Sequence, residues 1–443
     1  MRKRYFFIPL ISIIVISGVW VWACKHPFGE GLSIINIGKK VDYSIEEGGP
    51  GYKGEIGKDV TNSIIRPNKV EVFPLKSGND HYRIPTLIQL TNGDLLAFAD
   101  KRKGTIGDLP NSIEVVMKKS TNNGKTWSQE KRITPESKSK TDGHGDAGFI
   151  LDRKRGNIVG VVASDNGFLA STHEKPIRIK IIKSVDNGKT WSEPVDITPQ
   201  IYGAQCKDPT RKNWQAAFAA SGNGVQLRNG RMLFVLAVRE AKENFAKNYV
   251  MYSDDGGDTW KVSKNAPKSS SGGDEAKIVE LNDGSLIMAI RPKDIYQRRL
   301  AKSTDNGETW GEAVHRKDLP SSASNGDIIY YTSTLNGFDK NRIITMFDSV
   351  PYTQATPPGS PKLYWSYDEG KTWNGRLMHS GNAGYSSLAI LKDGSIGILA
   401  EIGGSWNGPI YFMRVNMRYL TSNADKGPFY TSQTATNNNS KVK

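Results

Sequence analysis

The sequence predicts an all-β protein folded as a six-bladed β-propeller, and two recurrences along the chain support this. An octapeptide with Ser first, Gly fifth, Thr seventh and Trp eighth occurs five times, beginning at residues 120, 184, 253, 303 and 366. A turn dipeptide before an apolar strand also recurs, as in LTNGDLLAFAD and LRNGRMLFVLAV. Repeats of this length that are made of strands are typical of propeller blades. Five octapeptides and one blade without a copy give six blades.

Each octapeptide, called a box below, is predicted to be the hairpin turn of a blade with a structural role. Its third residue is Asp or Asn, whose short side chain can bond to the backbone, and its Gly can take a positive φ. The Trp is expected to pack between neighbouring sheets. The boxes are 64, 69, 50 and 63 residues apart, and no convincing long amphipathic helix lies between them.

The composition fits a folded β protein and argues against several other classes. Hydrophobic residues make up 37% of the chain and charged residues 24%, with 45 Gly and 10 Trp. The net charge is +15, but Lys and Arg are scattered and no nucleic-acid-reading motif accompanies them, so no nucleic-acid partner is predicted. No His or Cys pair has metal-ligand spacing and no phosphate loop is present. We therefore expect neither a metal nor a cofactor.

The first 24 residues are predicted to direct export. Three cationic residues at 2–4 precede an apolar run from Tyr5 to Ala23, which is the pattern of a signal peptide. VWAC at the end of the run resembles a bacterial lipoprotein cleavage site, which makes Cys24 a candidate for lipidation. The run is also near the ~18 residues that a membrane span needs. Simple cleavage, lipid attachment and an uncleaved membrane anchor are the open alternatives, for a protein at the cell surface, in the periplasm or secreted.

The remaining chain divides into three parts. Residues 25–65 are rich in Gly and charge and are predicted to be a spacer, residues 66–420 the propeller, and residues 421–443 a polar tail. The second cysteine, Cys206, leaves no disulfide framework, so stability must come from packing.

Two segments place chemically suited side chains at one end of adjacent strands. DEAKIVELNDGSLIMAIR contains Glu275 and Arg291, and AGYSSLAILKDGSIGILAE contains Tyr385 and Glu401. In each segment a strand, an Asp-Gly turn and a returning strand separate the two residues, so both side chains are expected at the same end of a hairpin. HYRIPTLIQL similarly places Arg83 just before a strand.

Arg-Ile-Pro ahead of five boxes resembles the sialidase (neuraminidase) family of glycoside hydrolases, over about residues 66–418. The resemblance implies a retaining exo-α-sialidase that acts on sialylated glycans with a tyrosine nucleophile. It identifies Tyr385 as the nucleophile and Glu275 as the acceptor of its proton. Arg83 and Arg291 would be two of three arginines that clamp the sugar carboxylate, a task that suits the guanidinium fork.

By the same resemblance, Glu401 would hold the first arginine, and Asp108, in TIGDLPNSIEVVM, would be the acid/base. An acid/base carboxyl must stay protonated until it is used, which we expect of a partly desolvated loop near other acids. The sequence departs from the family at the third arginine, because the segment before the last box contains no Arg. Lys362 is the only cation in that segment and is predicted to substitute, with Arg342 upstream as the alternative.

Several functions share these residues. A trans-sialidase, an intramolecular variant or a hydrolase for deaminated sialic acid would need the same side chains. From a different class, a sialic-acid-binding propeller with little or no turnover would explain the missing arginine. The combination of Asp108, Glu275 and Tyr385 favours an enzyme, since a binding protein does not need all three. We expect a monomer.

Overall fold

In the computed structural model, the described residues are 60–219, 221–240, 246–269, 272–293, 296–349, 359–403 and 408–431, with position 56 and the backbone of three N-terminal strands. Those strands, Ile14–Ile16 (β1), Val19–Trp22 (β2) and Ile35–Asn36 (β3), form an antiparallel sheet within a unit spanning Met1–Ser44. Cys24 lies outside the described residues. No helix in the described part of the chain has both the length and the apolar character of a membrane span.

The second unit, Ile45–Lys443, is a propeller, as predicted: its described residues form six antiparallel sheets. Val70–Phe73 (β4) comes first in the chain but belongs to the last blade. Blade I contains Lys76–Ser77 (β5), Asp80–Gln89 (β6), Leu95–Lys103 (β7), Ile113–Ser120 (β8) and Lys131–Arg132 (β9). Blade II contains His144–Leu151 (β10), Ile158–Asp165 (β11), Ile177–Ser184 (β12) and Val195–Asp196 (β13).

The third and fourth blades follow the same meander. Blade III contains Ala216–Ala219 (β14), Val225–Gln226 (β15), Met232–Arg239 (β16), Lys247–Ser253 (β17) and Lys261–Val262 (β18). Its first strand is divided into two pieces, because β14 and β15 both pair with β16. Blade IV contains Ala276–Glu280 (β19), Leu286–Ile290 (β20), Gln297–Ser303 (β21) and Val314–Pro320 (β22).

The last two blades complete the ring. Blade V contains Gly326–Thr332 (β23), Arg342–Ser349 (β24), Ser360–Ser366 (β25) and Asn374–Leu377 (β26). Blade VI contains Ala383–Ile390 (β27), Ile396–Ile402 (β28) and Ile410–Val415 (β29). Strand β4 pairs with β29, so an N-terminal strand closes the last blade. The short helices of the described chain are Thr198–Ile201 (α1), Met417–Leu420 (α2) and the 3₁₀ turns Arg211–Asn213 and Thr334–Asn336.

The hydrophobic core lies between neighbouring blades rather than at one centre. Separate buried clusters join blades I and II, II and III, III and IV, IV and V, V and VI, and VI and I. The first strands of neighbouring blades contact one another, except that β16 of blade III contacts β19 of blade IV, which places these strands around the central channel. Each sheet is apolar on both faces because each face packs against another blade.

The boxes form the turns before the last strand of blades I to V, as predicted. In blade III, Ser253 Oγ accepts a hydrogen bond from Gly257 N at 2.8 Å, and Thr259 N donates to the Asp255 carboxylate at 3.0 Å. The box Trp packs between blades, since the ring of Trp127 in blade I lies 5.4 Å from that of Phe412 in blade VI. These turns all lie at the end of the propeller where the first strands finish.

The folded part extends beyond both predicted boundaries. Ile56, within the predicted spacer, is fully buried and its carbonyl accepts a hydrogen bond from the Tyr430 hydroxyl at 2.7 Å. Asp425, within the predicted tail, is buried and pairs with Arg342 at 2.8 Å. Residues 421–431 therefore pack against blade V, where Asp425 provides a counter-charge for the buried Arg342.

Candidate active site

The first strands of the blades all begin at the face opposite the box turns, and the candidate residues are collected there. In three of these strands the pairing register shifts at the start: between Arg83 and Thr86 in β6, in β10, and across Tyr385 in β27. Ile84 has a φ of 61° and Asp146 a φ of 52°. A β-branched residue with positive φ is strained, and such bulges re-aim side chains next to active sites. The bulges thus turn side chains from the sheets toward the channel mouth.

Arg83 is held by Glu401. The guanidinium donates to both carboxylate oxygens, Nε to Oε1 at 2.9 Å and Nη2 to Oε2 at 3.2 Å. Glu401 is fully buried and also accepts hydrogen bonds from Ile84 N and Tyr385 N, each at 3.0 Å. Burial by itself would lower the pKa of Arg83, but Glu401 outweighs burial and the pKa is raised. One buried carboxylate therefore orders both the Arg83 bulge and the Tyr385 bulge.

Tyr385, Arg291 and Glu275 form a contiguous cluster. Arg291 Nη1 donates to the Tyr385 hydroxyl at 2.8 Å and also to Glu275 Oε2. The guanidinium carbons of Arg83 and Arg291 lie 5.1 and 5.8 Å from the Tyr385 ring centroid. The phenol is therefore flanked by both arginines and a carboxylate.

Electrostatics set different protonation states for Tyr385 and Glu275. Burial raises the pKa of Tyr385 well above its ordinary value, against the lowering effect of Arg291. Burial would also raise the pKa of Glu275, but Arg291 and a hydrogen bond from Tyr385 hold it below its ordinary value. A protonated phenol thus stands beside an ionised carboxylate, which is the arrangement in which a base can activate a weak nucleophile.

Asp108 lies at the rim of this cluster. Its Oδ1 accepts a hydrogen bond from Arg102 Nη1 at 2.7 Å, and Arg102 is buried and also bonded to Asp100 at 3.1 Å. The Asp108 carboxylate is close enough to raise the pKa of Arg83. The expectation of a partly desolvated carboxyl is not met, since the side chain is 77% exposed. The loop stands at the channel mouth, and Arg102 covers only one side of the carboxylate.

The structure does not bring Lys362 or Arg342 to the cluster. The Lys362 Nζ lies 4.8 Å from the Tyr364 ring centroid, and residue 362 pairs with Phe347 and Leu377 within blade V. Arg342 stands at the start of β24, which is the box end of the blade, where Asp339 and Asp425 neutralise it. The alternative role for Arg342 is therefore wrong, because its guanidinium is buried at the other end of the propeller.

Several residues of the site were missed by sequence reasoning. Asp146 stands in the β10 bulge, and burial together with Asp100 and Asp108 raises its pKa well above the ordinary value. Ser221 Oγ donates to Glu275 Oε1 at 3.1 Å from blade III. The sequence pattern could have indicated Asp146, because it lies near the start of an apolar first strand, as Arg83 does. Within the described residues, no three His, Cys, Asp or Glu side chains are grouped to hold a metal ion.

Comparisons with known proteins agree with this geometry. The BNR repeat-like domain family matches residues 84–347. A sialidase of Micromonospora viridifaciens is 31% identical over 347 residues, which cover 74% of this chain and 51% of that protein. A sialidase of Bacteroides fragilis (strain YCH46) is 29% identical over 374 residues, covering 78% of this chain and 65% of that protein. The chain thus spans only about half to two thirds of these two relatives.

Solved structures show the same likeness in the fold. The Hadza microbial sialidase Hz136 has a TM-score of 0.66 and 26% identity, covering 76% of this chain and 66% of that chain. The leech intramolecular trans-sialidase shares the fold with a TM-score of 0.65 at 18% identity, covering 80% of this chain and 71% of that chain. With the family match over more than half of its length, this chain belongs to the BNR repeat-like domain family and has the six-bladed propeller of the sialidases.

Proposed function

We propose that this protein is a retaining exo-α-sialidase, a glycoside hydrolase that removes terminal sialic acids from glycoproteins, glycolipids or oligosaccharides through a tyrosyl-glycosyl intermediate. One observation carries the proposal: the Tyr385 hydroxyl is hydrogen-bonded by Arg291 beside the Glu275 carboxylate, with the Arg83 guanidinium carbon 5.1 Å from the ring centroid. The names of the relatives agree with it.

In the proposed reaction, Arg83 and Arg291 bind the carboxylate of the sugar, and Tyr385 attacks its anomeric carbon as the phenol proton passes to Glu275. Asp108 protonates the departing glycosidic oxygen. Asp108 then takes a proton from water, the water oxygen replaces the tyrosyl oxygen on the anomeric carbon, and Glu275 returns the proton to Tyr385. A neutral phenol approaches this carboxylate-bearing carbon with less repulsion than a second carboxylate would.

The deciding assay is release of a fluorescent phenol from its sialoside by the chain from residue 25 onward. We expect steady turnover, and free sialic acid as the product in water. A measurable affinity for sialosides without any release would favour the sialic-acid-binding propeller instead.

A transfer reaction is the second candidate, because a solved structure with this fold is named an intramolecular trans-sialidase. It uses the same Tyr385 intermediate but a different acceptor. Product analysis separates the two: free sialic acid for hydrolysis, a new sialoside when an acceptor glycan is added, and an anhydro sugar for an intramolecular reaction.

For the N-terminus we propose export with lipid attachment at Cys24. The support is the VWAC sequence after an apolar run. Labelled fatty acid should be incorporated by the wild type and not by Cys24→Ser. Incorporation in neither would point to secretion or to an uncleaved anchor.

A further inference from the structure

A segment of blade III crosses the central channel beneath the cluster. The gap between β14 and β15 includes the sequence SGNG at residues 221–224, which we call the axial segment. Gly222 N donates to Ala147 O of blade II at 3.2 Å, and Asn223 Nδ2 donates to Leu388 O of blade VI at 3.3 Å. Because it bonds to blades on different sides of the channel, the axial segment forms a polar floor under the mouth.

Lys277 of β19 supports this floor from blade IV. The residue is 4% exposed, and its Nζ donates to Ser221 O and, at 3.4 Å, to Ala276 O. A Cβ on Gly222 would stand 2.9 Å from Lys277 Cε, so the axial segment needs glycine there to pass over the lysine. Among the described residues, Lys277 forms no ion pair. A buried ammonium that is bonded to carbonyls rather than to a carboxylate costs stability.

The same segment leads directly to Glu275. Ser221 Oγ donates to Glu275 Oε1 at 3.1 Å, while Arg291 occupies Oε2. Lys277 follows Glu275 by two residues, so both side chains point to the same side of the chain. One oxygen of the carboxylate is therefore fixed by a substrate-binding arginine, and the other by a serine whose carbonyl Lys277 holds.

We propose that Lys277 is a positioning residue for Glu275: it fixes Ser221 through the main chain, and its positive charge adds to that of Arg291 beside the Glu275 carboxylate. The inference rests on the proposed function, in which Glu275 must be ionised to accept the phenol proton. It explains why a costly buried lysine stands two residues from the base.

The charges around both groups agree with this role. Burial would raise the pKa of Glu275, but the cations and the phenol beside it hold it below the ordinary value. Burial lowers the pKa of Lys277, against Asp327 and Glu275. The charged or titratable groups that act on Glu275 or Lys277 are Arg291, Arg298, Asp146, Asp274, Asp327 and Tyr385.

The first test is the pH profile of kcat/KM for Lys277→Met, which keeps the apolar stem and removes the charge. We expect its acid limb to move up by about one pH unit, because removing a nearby cation raises the pKa of a carboxyl. Lys118→Met is the matched control, since Lys118 Nζ also donates to a main-chain carbonyl, Val72 O at 2.8 Å. The acid limb of the kcat/KM profile should stay where it is in Lys118→Met. A uniform loss of activity in Lys277→Met with an unmoved limb would overturn the proposal.

A second measurement does not depend on turnover. Because the folded-state pKa of Glu275 is lowered, its contribution to stability is present above the unfolded pKa and lost as pH falls through the folded pKa. In urea denaturation between about pH 3 and 6, this loss should be smaller in Lys277→Met than in wild type and should be complete at a higher pH, because the folded-state pKa of Glu275 then lies closer to the unfolded value. When Glu275→Gln is present in both proteins, Lys277→Met should no longer change the pH dependence of the unfolding free energy. If the unfolding free energies of wild type and Lys277→Met depended on pH in the same way, the proposal would be overturned. This outcome would count even if the wild type had no sialidase activity.

If Lys277→Met does not fold, Ser221→Ala provides a second test of the positioning role. This change removes the bond to Glu275 Oε1 but leaves the main-chain carbonyl that Lys277 contacts. The acid limb should then rise by less than in Lys277→Met, because one hydrogen bond to the ionised carboxylate is lost while the charge remains. An acid limb identical to that of wild type would contradict the positioning role.

Discussion

The two ends of each blade are built by different kinds of contact. At the box end, polar groups pair within one octapeptide, as when Thr259 Oγ1 donates to Asp255 Oδ2 four residues away at 2.5 Å. At the other end, Arg83 pairs with Glu401 across 318 residues, and Ser221 with Glu275 across 54. The local pairs recur from box to box and stabilise turns, whereas the long-range pairs at the mouth, like the Arg342–Asp425 pair at the box end, occur once and hold charges in place. The difference predicts that changes at one end affect catalysis and changes at the other affect only stability.

The largest expected effect is from Tyr385→Phe at the mouth. The variant lacks the proposed nucleophilic oxygen, so kcat should fall by roughly three orders of magnitude or more. Its Tm should stay near that of wild type because the ring still packs beside Arg83 and Arg291. Steady-state release of a fluorescent phenol and a thermal melt measure the two. Near-normal hydrolysis by this variant would remove Tyr385 from the mechanism.

Glu401→Gln should affect both catalysis and stability. The amide leaves Arg83 without a counter-charge and replaces an acceptor by a donor facing N–H groups, so unfolding free energy should fall by about 3 kcal/mol. Displacement of Arg83 and Tyr385 should lower kcat/KM on the order of a hundredfold.

Asp318→Asn is the matched control for Glu401→Gln. Asp318 also pairs with an arginine through both oxygens, Arg316 at 2.9 and 2.7 Å, but its side chain is 37% exposed. Such a surface pair contributes at most about 1 kcal/mol. Urea denaturation that gives equal losses for the two variants would contradict the distinction between the two ends.

Much of the fold was predictable because the boxes repeat local chemistry. Five copies of the octapeptide define the turns, and Arg83, Glu275, Tyr385 and Glu401 could be placed at one end of their hairpins. Ser221 and Lys277 could not, because their roles depend on a divided first strand in another blade. The position of Lys362 could not be predicted either: strand alternation directs its side chain to Tyr364, and a segment's cation content does not reveal this.

Asp108→Ala should discriminate between leaving groups. The proposed acid is needed for natural sialosides, whose departing oxygen must be protonated, so their kcat/KM should fall by about two to four orders of magnitude. An activated phenol leaves without a proton and should be affected much less. The measurement is kcat/KM of wild type and variant on both substrate types. If kcat/KM falls equally on both, Asp108 is not the acid.

Lys362→Ala tests whether two arginines suffice for the carboxylate. Lys362 stacks near Tyr364 and not in the cluster, so KM should change by less than about twofold, as for other surface changes. If Lys362 instead binds the carboxylate, losing a charged hydrogen bond of ~1.5 to 3 kcal/mol should raise KM roughly ten- to a hundredfold. Arg291→Ala, with its guanidinium inside the cluster, is the positive control and should destroy activity.

The smallest effect on catalysis is expected at the box end, from Asp255→Ala. The carboxylate accepts hydrogen bonds from Ser253 Oγ at 2.7 Å and from Thr259 N at 3.0 Å, so the variant loses bonds that close one turn. Unfolding free energy should fall by about 1 to 2 kcal/mol, the usual cost of a lost local acceptor. Since the turn lies at the opposite face from Tyr385, kcat and KM should stay within about twofold of wild type. Asp254→Ala, one residue earlier, removes an ion pair with Arg231 instead of the turn's own bonds and controls for the loss of charge. A large loss of kcat in Asp255→Ala at a temperature well below its Tm would mean that the two ends are coupled through the blade.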